Sequence, residues 1–425
     1  MLNLKKLKKL KKLKKLKKKN EYAQYQENLA FEKELNVLRN DFYYKMISMS
    51  SISLIDFMYQ PLDVLSGDAY SARRINSCTA FYLLVDGMGK GLSASVSSIL
   101  TTSFINHTID VMKESNSFDF HTLIDDSIKY IKPILLEEEA LSVDFILHND
   151  KTKLLSYAKF AMPAILMQNE NQEIIKLKSN NTPISKYIRD FKISYYNTTH
   201  ITKYLFCTDG VVENSTRFKD RLYAEFIEKD FLNSFTKEDM KERLLWKINI
   251  PDDDITFIFI NSIDIKHTVI SKSSFKSNFD EIENANEWYV DTWESLSNDV
   301  KLKHNAGIVF TELYMNAFEH GNLAIDSNNK HKLIEDDIYI QTLQEKQKNC
   351  NKKIFVTVNK VSYNSRDYII TKIDDEGKGF DTDILSKIFR NTKIYNGRGV
   401  FISRNASLGI YYNHKGNSVL FLHKI

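Results

Sequence analysis

Glycine is scarce in this 425-residue chain: there are 13, less than half of the roughly 7% found in an average protein. Proline is scarcer, with five, and cysteine scarcest, with three. Each shortage excludes something. Cys78, Cys207 and Cys350 stand far apart with no CxxC pair, which argues against a disulfide framework or a structural zinc and fits a reducing cytoplasm. No apolar run approaches the ~18 residues of a membrane-spanning helix, and the N-terminus lacks the apolar core of a secretion signal. All five prolines (Pro61, Pro133, Pro163, Pro183 and Pro251) precede residue 265, so the chain divides into a region with proline and one without. Ten of the 13 glycines fall in two sets, one among the aspartates at the ends of apolar runs and one nearer the C-terminus. A glycine-poor chain that gathers its glycines next to acids is shaping backbone around a charged ligand.

The net charge of +4 misleads. Residues 1–19 hold 11 lysines and no acid, and the rest of the chain has 48 basic and 55 acidic residues. A mildly acidic body argues against direct nucleic-acid binding. The tail repeats Leu-Lys-Lys from Leu4 to Leu16, and a period of three spirals the leucines around a helix instead of forming one stripe. Its charge offers the only membrane contact in the sequence, but residues 1–20 read more simply as a solvated low-complexity extension. Residues 21–46, within a linker spanning 21–50, place Leu29, Leu35, Leu38 and Phe42 among polar residues. That suits an amphipathic helix, either pairing two chains as a homodimer through a short coiled coil or packing on its own domain.

Between residues 51 and 264, apolar runs end at aspartates. Ala80–Val85 runs into Asp86 in DGMGKG, Tyr204–Cys207 into Asp209 in TDG, and Ile255–Ile260 is entered from Asp253 and Asp254 in DDDIT; Asp68 closes SGD. Runs this apolar are buried strands. Helical stretches over 92–112 and 118–138 lie between them, so a mixed α/β sandwich is expected. A buried strand fixes its terminal residue, so carboxylates there converge with little freedom. Converging carboxylates repel and shift one another's pKa, and a divalent cation with hard oxygen ligands, magnesium or manganese, removes that conflict. A single TDG is usually a turn and a single DD a solvated cap; four such elements in order, each at a strand edge, are far more specific.

The series SGDAY, DGMGKGLSAS, TDGVVE and DDDIT resembles the metal-dependent PPM serine/threonine phosphatases, in particular their bacterial SpoIIE/RsbU-type branch. Leu155–Leu166 resembles that branch's Y-x-x-AG-x-x-P segment, with Phe160 and Ala161 in place of Ala-Gly. The resemblance covers about residues 51–262. It implies two Mn²⁺ or Mg²⁺ ions held by Asp68, Asp86, Asp209 and Asp253 with the Gly87 carbonyl, and Asp253 and Asp254 exchange roles under a one-residue slip. Met88 occupies the place of the histidine found after DG in eukaryotic relatives, so no histidine acid stands there.

From residue 265 to 425 the composition turns Ser/Lys-rich. A helix is expected over 299–321, with Val309, Leu313 and Ala317 as a stripe suited to packing on a sheet and Glu312, Asn316 and His320 as the adjacent polar stripe. Strand-like runs follow at 354–358, 368–373 and 419–423, with Asp375, Gly377 and Gly379 in DDEGKGFD and Gly397 and Gly399 in NGRGVFISRN. Alone, a polar stripe is a wet face and D-x-G-x-G a common turn. In this order the set resembles the GHKL ATPases, most closely the anti-sigma-factor serine kinases. That resemblance implies Asp375 on adenine, Asn316 on Mg²⁺ of ATP, the four glycines against the nucleotide, and Glu312 as base toward a seryl hydroxyl.

The expected architecture is α/β (α+β layered): a PPM-type β-sandwich flanked by helices, then a GHKL-type α/β sandwich, preceded by an N-terminal helix. The expected role is that of a cytoplasmic partner-switching regulator. It would dephosphorylate a STAS-domain protein, with an ATP-binding half that phosphorylates such a partner or holds a sigma factor. The alternative is a non-catalytic, ATP-responsive scaffold.

Overall fold

The computed structural model describes residues 25–42, 44–48, 51–89, 91–380, 382, 403 and 406–425. The lysine-rich tail and the Gly397 and Gly399 segment lie outside the described residues.

Two sheets face each other in the first region. One joins β1 (Arg39–Asn40), β4 (Asp68–Arg74), β5 (Thr79–Gly87), β6 (Ala140–Asn149), β7 (Leu154–Phe160) and β11 (Ser194–Asn197), with β10 (Ile184–Ser185) on β6. The other joins β2 (Tyr44–Ser48), β3 (Ser51–Gln60), β13 (Ile255–Asp264), β12 (Ile201–Cys207), β8 (Ile165–Asn169) and β9 (Ile174–Leu177). Strand β5 is apolar from Ala80 to Val85, where both its faces are buried. Phe81 meets Phe120 of α3 (Phe120–Ile131), which lies beside α2 (Leu92–Glu114), whereas Tyr82 meets Phe206 on the facing sheet. The α3 stretch expected over 118–138 is shorter, ending just before Pro133, which cannot continue a helix.

The third sheet, in the order β14 (Val269–Lys276), β15 (Lys353–Tyr363), β16 (Arg366–Asp375), β18 (Ser418–Lys424) and β17 (Ile410–Tyr412), is antiparallel throughout. Alternation along β16 and β18 buries both faces. Ile369, Ile373, Val419 and Phe421 pack under α7 (Phe279–Glu294) and α8 (Val300–Asn316). Tyr368, Ile370, Leu420 and Leu422 pack instead against Ile52 and Leu54 of β3. The outer face of the six-stranded sheet is thus shared. Helices α4 (Asp209–Val212), α5 (Ile227–Leu232) and α6 (Lys237–Lys247) cover one end and the third sheet covers the other. Within the stretch 326–353 lie α9 (Ser327–Glu335) and α10 (Tyr339–Lys348).

The amphipathic helix expected over 21–46 is shorter: α1 is described over 25–37 and ends there. Its last apolar positions serve the sandwich. Leu38 and Phe42 are buried in the first core, and Arg39 and Asn40 pair in parallel with Ser71 and Ala72. Burial of those two side chains and the backbone pairing of β1 outweigh continued helix. Ala161, standing where the resembled segment has glycine, keeps the left-handed backbone, at φ 58°.

Candidate active site

The first acidic set gathers at one mouth of the sandwich. Asp68 opens β4 and Asp86 lies near the end of β5, and the two are direct cross-strand partners. Residues two apart share a face. Tyr82 and Tyr70 both meet rings of the facing sheet, Phe206 and Phe57, so Asp86 and Asp68 also point between the sheets. From that facing sheet come Asp209, which starts α4 directly after β12, and Asp253, two residues before β13.

Close backbone approach makes this convergence possible. A Cβ on Gly210 would lie 2.0 Å from the Asp254 carbonyl oxygen, so only glycine lets the 251–254 turn close on α4. A Cβ on Gly87 would lie 2.7 Å from the Ala94 carbonyl oxygen of α2. Hydrogen bonds lock the surroundings. The Thr208 hydroxyl donates to Asp68 Oδ2 at 2.8 Å, the Ser98 hydroxyl donates to the Gly67 carbonyl, and Gly87 N–H donates to that same carbonyl at 3.0 Å. Asn214 donates to the Gly210 carbonyl and accepts from Asp252 N–H at 2.8 Å, pinning α4 to the turn.

The electrostatics are those of crowded acids. Burial drives Asp68 well above the usual carboxylate range, with Thr208 and Thr256 hydroxyls opposing and the Asp254 and Asp209 charges adding to the rise. Burial, then the charges of Asp68 and Asp209, push Asp86 up to about 10. The charges that act most on both groups are therefore those of other aspartates. Among the described residues no group of three or more acidic, histidine or cysteine side chains is placed so that it could hold a metal ion. The donor set, all oxygen, anionic and mutually repelling, fits hard divalent cations.

Asp254 is differently engaged. Its Oδ1 accepts Leu62 N–H at 2.6 Å and its Oδ2 accepts Gly67 N–H at 2.6 Å. It ties the 62–67 loop to the start of β13. Met88, after Gly87, is exposed at the rim.

The second set lies at one end of the third sheet. Val309, Leu313 and Ala317 are buried toward the sheet, while Glu312, Asn316 and His320 are half-buried. The expected helix over 299–321 is α8 followed by a wider helical turn over Ala317–Asn322. Asp375 ends β16, accepts Gly377 N–H at 2.8 Å, and is raised by burial to about 6. Gly321 abuts it: a Cβ there would lie 2.5 Å from the Asp375 carboxyl carbon. The Cβ positions of Gly377 and Gly379 are blocked by the chain's own Gly321 and Lys415 carbonyls, at 2.2 and 1.7 Å. These glycines are required by backbone packing whatever their N–H groups meet. A groove of about 810 Å³ lies beside Glu312 between α7 and α8, lined by Val290, Lys303, His304 and Thr311 among others.

Sequence reasoning missed Thr208, Asn214, Ser98 and Gly321. Thr208 and Gly321 stood next to residues it did select. Asn214, five residues after Asp209, and Ser98, twelve after Asp86, are marked by no local pattern.

Residues 78–262 match the family described as Stage II sporulation protein E (SpoIIE). The matched range includes Asp86, Asp209 and Asp253 and begins after Asp68. No curated protein matches the chain. Among solved structures, the chain is similar to RsbX in complex with magnesium, at 15% identity over 52% of this chain and 100% of that one, with a TM-score of 0.39. It is similar to the phosphatase domain and a regulatory fragment of SpoIIE from Bacillus subtilis, at 15% identity over 51% and 64%, with a TM-score of 0.42. It is also similar to the RsbU and RsbW domains of a Mycobacterium tuberculosis protein, at 12% identity over 89% and 95%, with a TM-score of 0.43. Among the described residues no helix is long and apolar enough to cross a membrane.

Proposed function

We propose that the first region is a Mn²⁺- or Mg²⁺-dependent phosphatase acting on phosphoserine or phosphothreonine of a STAS-type protein. The observation that carries this reading is the placement of Asp68 and Asp86 side by side on β4 and β5, facing Asp209 and Asp253 across the mouth of the sandwich. Asp68, Asp86, Asp209, Asp253 and the Gly87 carbonyl hold the ions. Asp253 is assigned over Asp254, whose two oxygens tie the 62–67 loop to the start of β13. The bound ions supply Lewis acidity and a water of lowered pKa. The chain supplies orientation: Thr208 fixes one Asp68 oxygen, and Asn214 and Gly210 hold Asp209 against the 251–254 turn.

The third-sheet region is read as an ATP-binding unit. Asp375 accepts from the adenine amino group and Asn316 reaches Mg²⁺. Gly377 and Gly379 border the nucleotide, and Glu312 serves as base toward a partner's seryl hydroxyl. What supports this is the half-buried Asp375 set against the Gly321 turn at the end of α8. Its partner would be the STAS protein or a sigma factor, in the cytoplasm, with α1 as the seam of a homodimer.

The test is a calorimetric Mn²⁺ titration of the full chain. Binding in the wild type that is lost in Asp86→Asn supports the assignment; equal binding in both contradicts it.

A further inference from the structure

Helix α1 precedes the sandwich and belongs to neither of its sheets, yet it inserts one carboxylate beside the candidate metal site. Glu34 is 1% exposed. Its Oε1 accepts the Tyr59 hydroxyl of β3 at 2.6 Å and the backbone N–H of Ser66 at 2.9 Å. Its Oε2 has no hydrogen-bond partner. Both protein bonds of this buried acid therefore pass through one oxygen, and one of them ends two residues before Asp68.

The loop it grips is held elsewhere at Gly67, whose carbonyl accepts from Ser98 and from Gly87 N–H. Ser66 Oγ accepts Asp68 N–H at 3.0 Å, and Asp254 accepts Leu62 and Gly67 N–H. Loop 62–67 is thus held at Leu62 and Gly67 by Asp254, at the Gly67 carbonyl by Ser98 and Gly87, and at the Ser66 N–H by Glu34 of α1. The end of α1 is anchored separately, where Asn106 of α2 donates to the Val37 carbonyl at 2.9 Å. A buried carboxylate is costly to leave without partners, so moving α1 away from the sandwich forces Glu34 to release Ser66.

We propose that Glu34 is a positioning residue for the metal pair: it sets the Ser66–Asp68 backbone, so that a displacement of α1 lowers cation affinity. This rests on the phosphatase reading above and adds the element through which the site is controlled.

The test uses the full chain, with Mn²⁺ alone as probe in calorimetry and thermal unfolding in EDTA as the control for folding. Glu34→Ala is expected to weaken Mn²⁺ binding about tenfold and raise the Mn²⁺ needed for half-maximal phosphate release, with the rate at saturating Mn²⁺ retained. Glu34→Gln keeps the acceptor oxygen and should restore most of the affinity. Tyr59→Phe, which removes the other bond but not the ring, should weaken binding in the same direction by a few-fold, and it stands in if the alanine variant does not fold. Unchanged Mn²⁺ affinity in Glu34→Ala or in Tyr59→Phe, with or without a lower unfolding temperature in EDTA, would overturn the proposal and leave Glu34 as a helix anchor only. Absence of Mn²⁺ binding by the wild type would instead overturn the phosphatase reading.

Discussion

Tyr368, on the third sheet, donates its hydroxyl to the carboxylate of Asp239 at 3.1 Å, and Asp239 closes the N-terminal capping box of α6 with Thr236. The two candidate activities are therefore joined by a buried polar seam as well as by the apolar contact of Tyr368, Ile370 and Leu422 with Ile52 and Leu54.

Lys203 lies in the same seam. Its side-chain nitrogen lies 2.7 and 2.9 Å from the carbonyl oxygens of Phe231 and Ser234 and 2.7 Å from the Tyr363 hydroxyl, and burial pushes it down to about 6. An unfolded lysine titrates near ~10.4. Between those values the unfolded chain binds more protons, so this group makes stability rise with pH from about 6 toward ~10. Lys203→Met should flatten that rise in urea unfolding at pH 6.5 and 9. Equal pH dependence in both proteins would show that Lys203 is charged in the fold.

The crowded aspartates predict a trade between stability and binding. In EDTA, burial and the neighbouring aspartates force Asp86 to take up a proton in the folded chain at neutral pH, a cost that Asp86→Asn removes, so the variant should unfold at a higher temperature than the wild type. With Mn²⁺ at about 100 times its dissociation constant the wild type should gain about 2.7 kcal/mol, and the variant little. Differential scanning calorimetry with and without metal reads both.

Gly210→Ala tests the close approach of α4 to the 251–254 turn. Its Cβ would meet the Asp254 carbonyl oxygen at 2.0 Å, and overpacking of this kind costs about 1–3 kcal/mol. Urea unfolding should show that loss, and Mn²⁺ binding should weaken because Asp209 and Asp253 are pushed apart.

Gly321→Ala places a Cβ 2.5 Å from the Asp375 carboxyl carbon. It should abolish binding of a fluorescent ATP analogue, as Asp375→Asn should, while leaving Mn²⁺-dependent phosphate release intact. Analogue binding unchanged in both variants would place the nucleotide elsewhere.

The strands were legible where apolar runs have both faces buried, as in Thr79–Gly87 and Ile255–Asp264, because hydrophobic content alone marks them. The aspartates at their ends were legible for the same reason. The extent of α1 was not: Leu38 and Phe42 continue a helical spacing, but their burial in the sandwich, not the spacing, decides where the helix stops. The shared face between the second and third sheets was also hidden. The continuous apolar run in β18 announces two buried faces without saying what covers the second. Glu34 could not be found in sequence, since a lone glutamate among polar residues reads as the wet side of a helix.

The most direct measurement is phosphate release from a serine-phosphorylated STAS protein by the full chain, with and without Mn²⁺, beside Asp209→Asn. The account predicts release that requires Mn²⁺ and is lost in the variant, with binding of the ATP analogue unchanged. Mn²⁺-dependent release that persists in Asp209→Asn would contradict it.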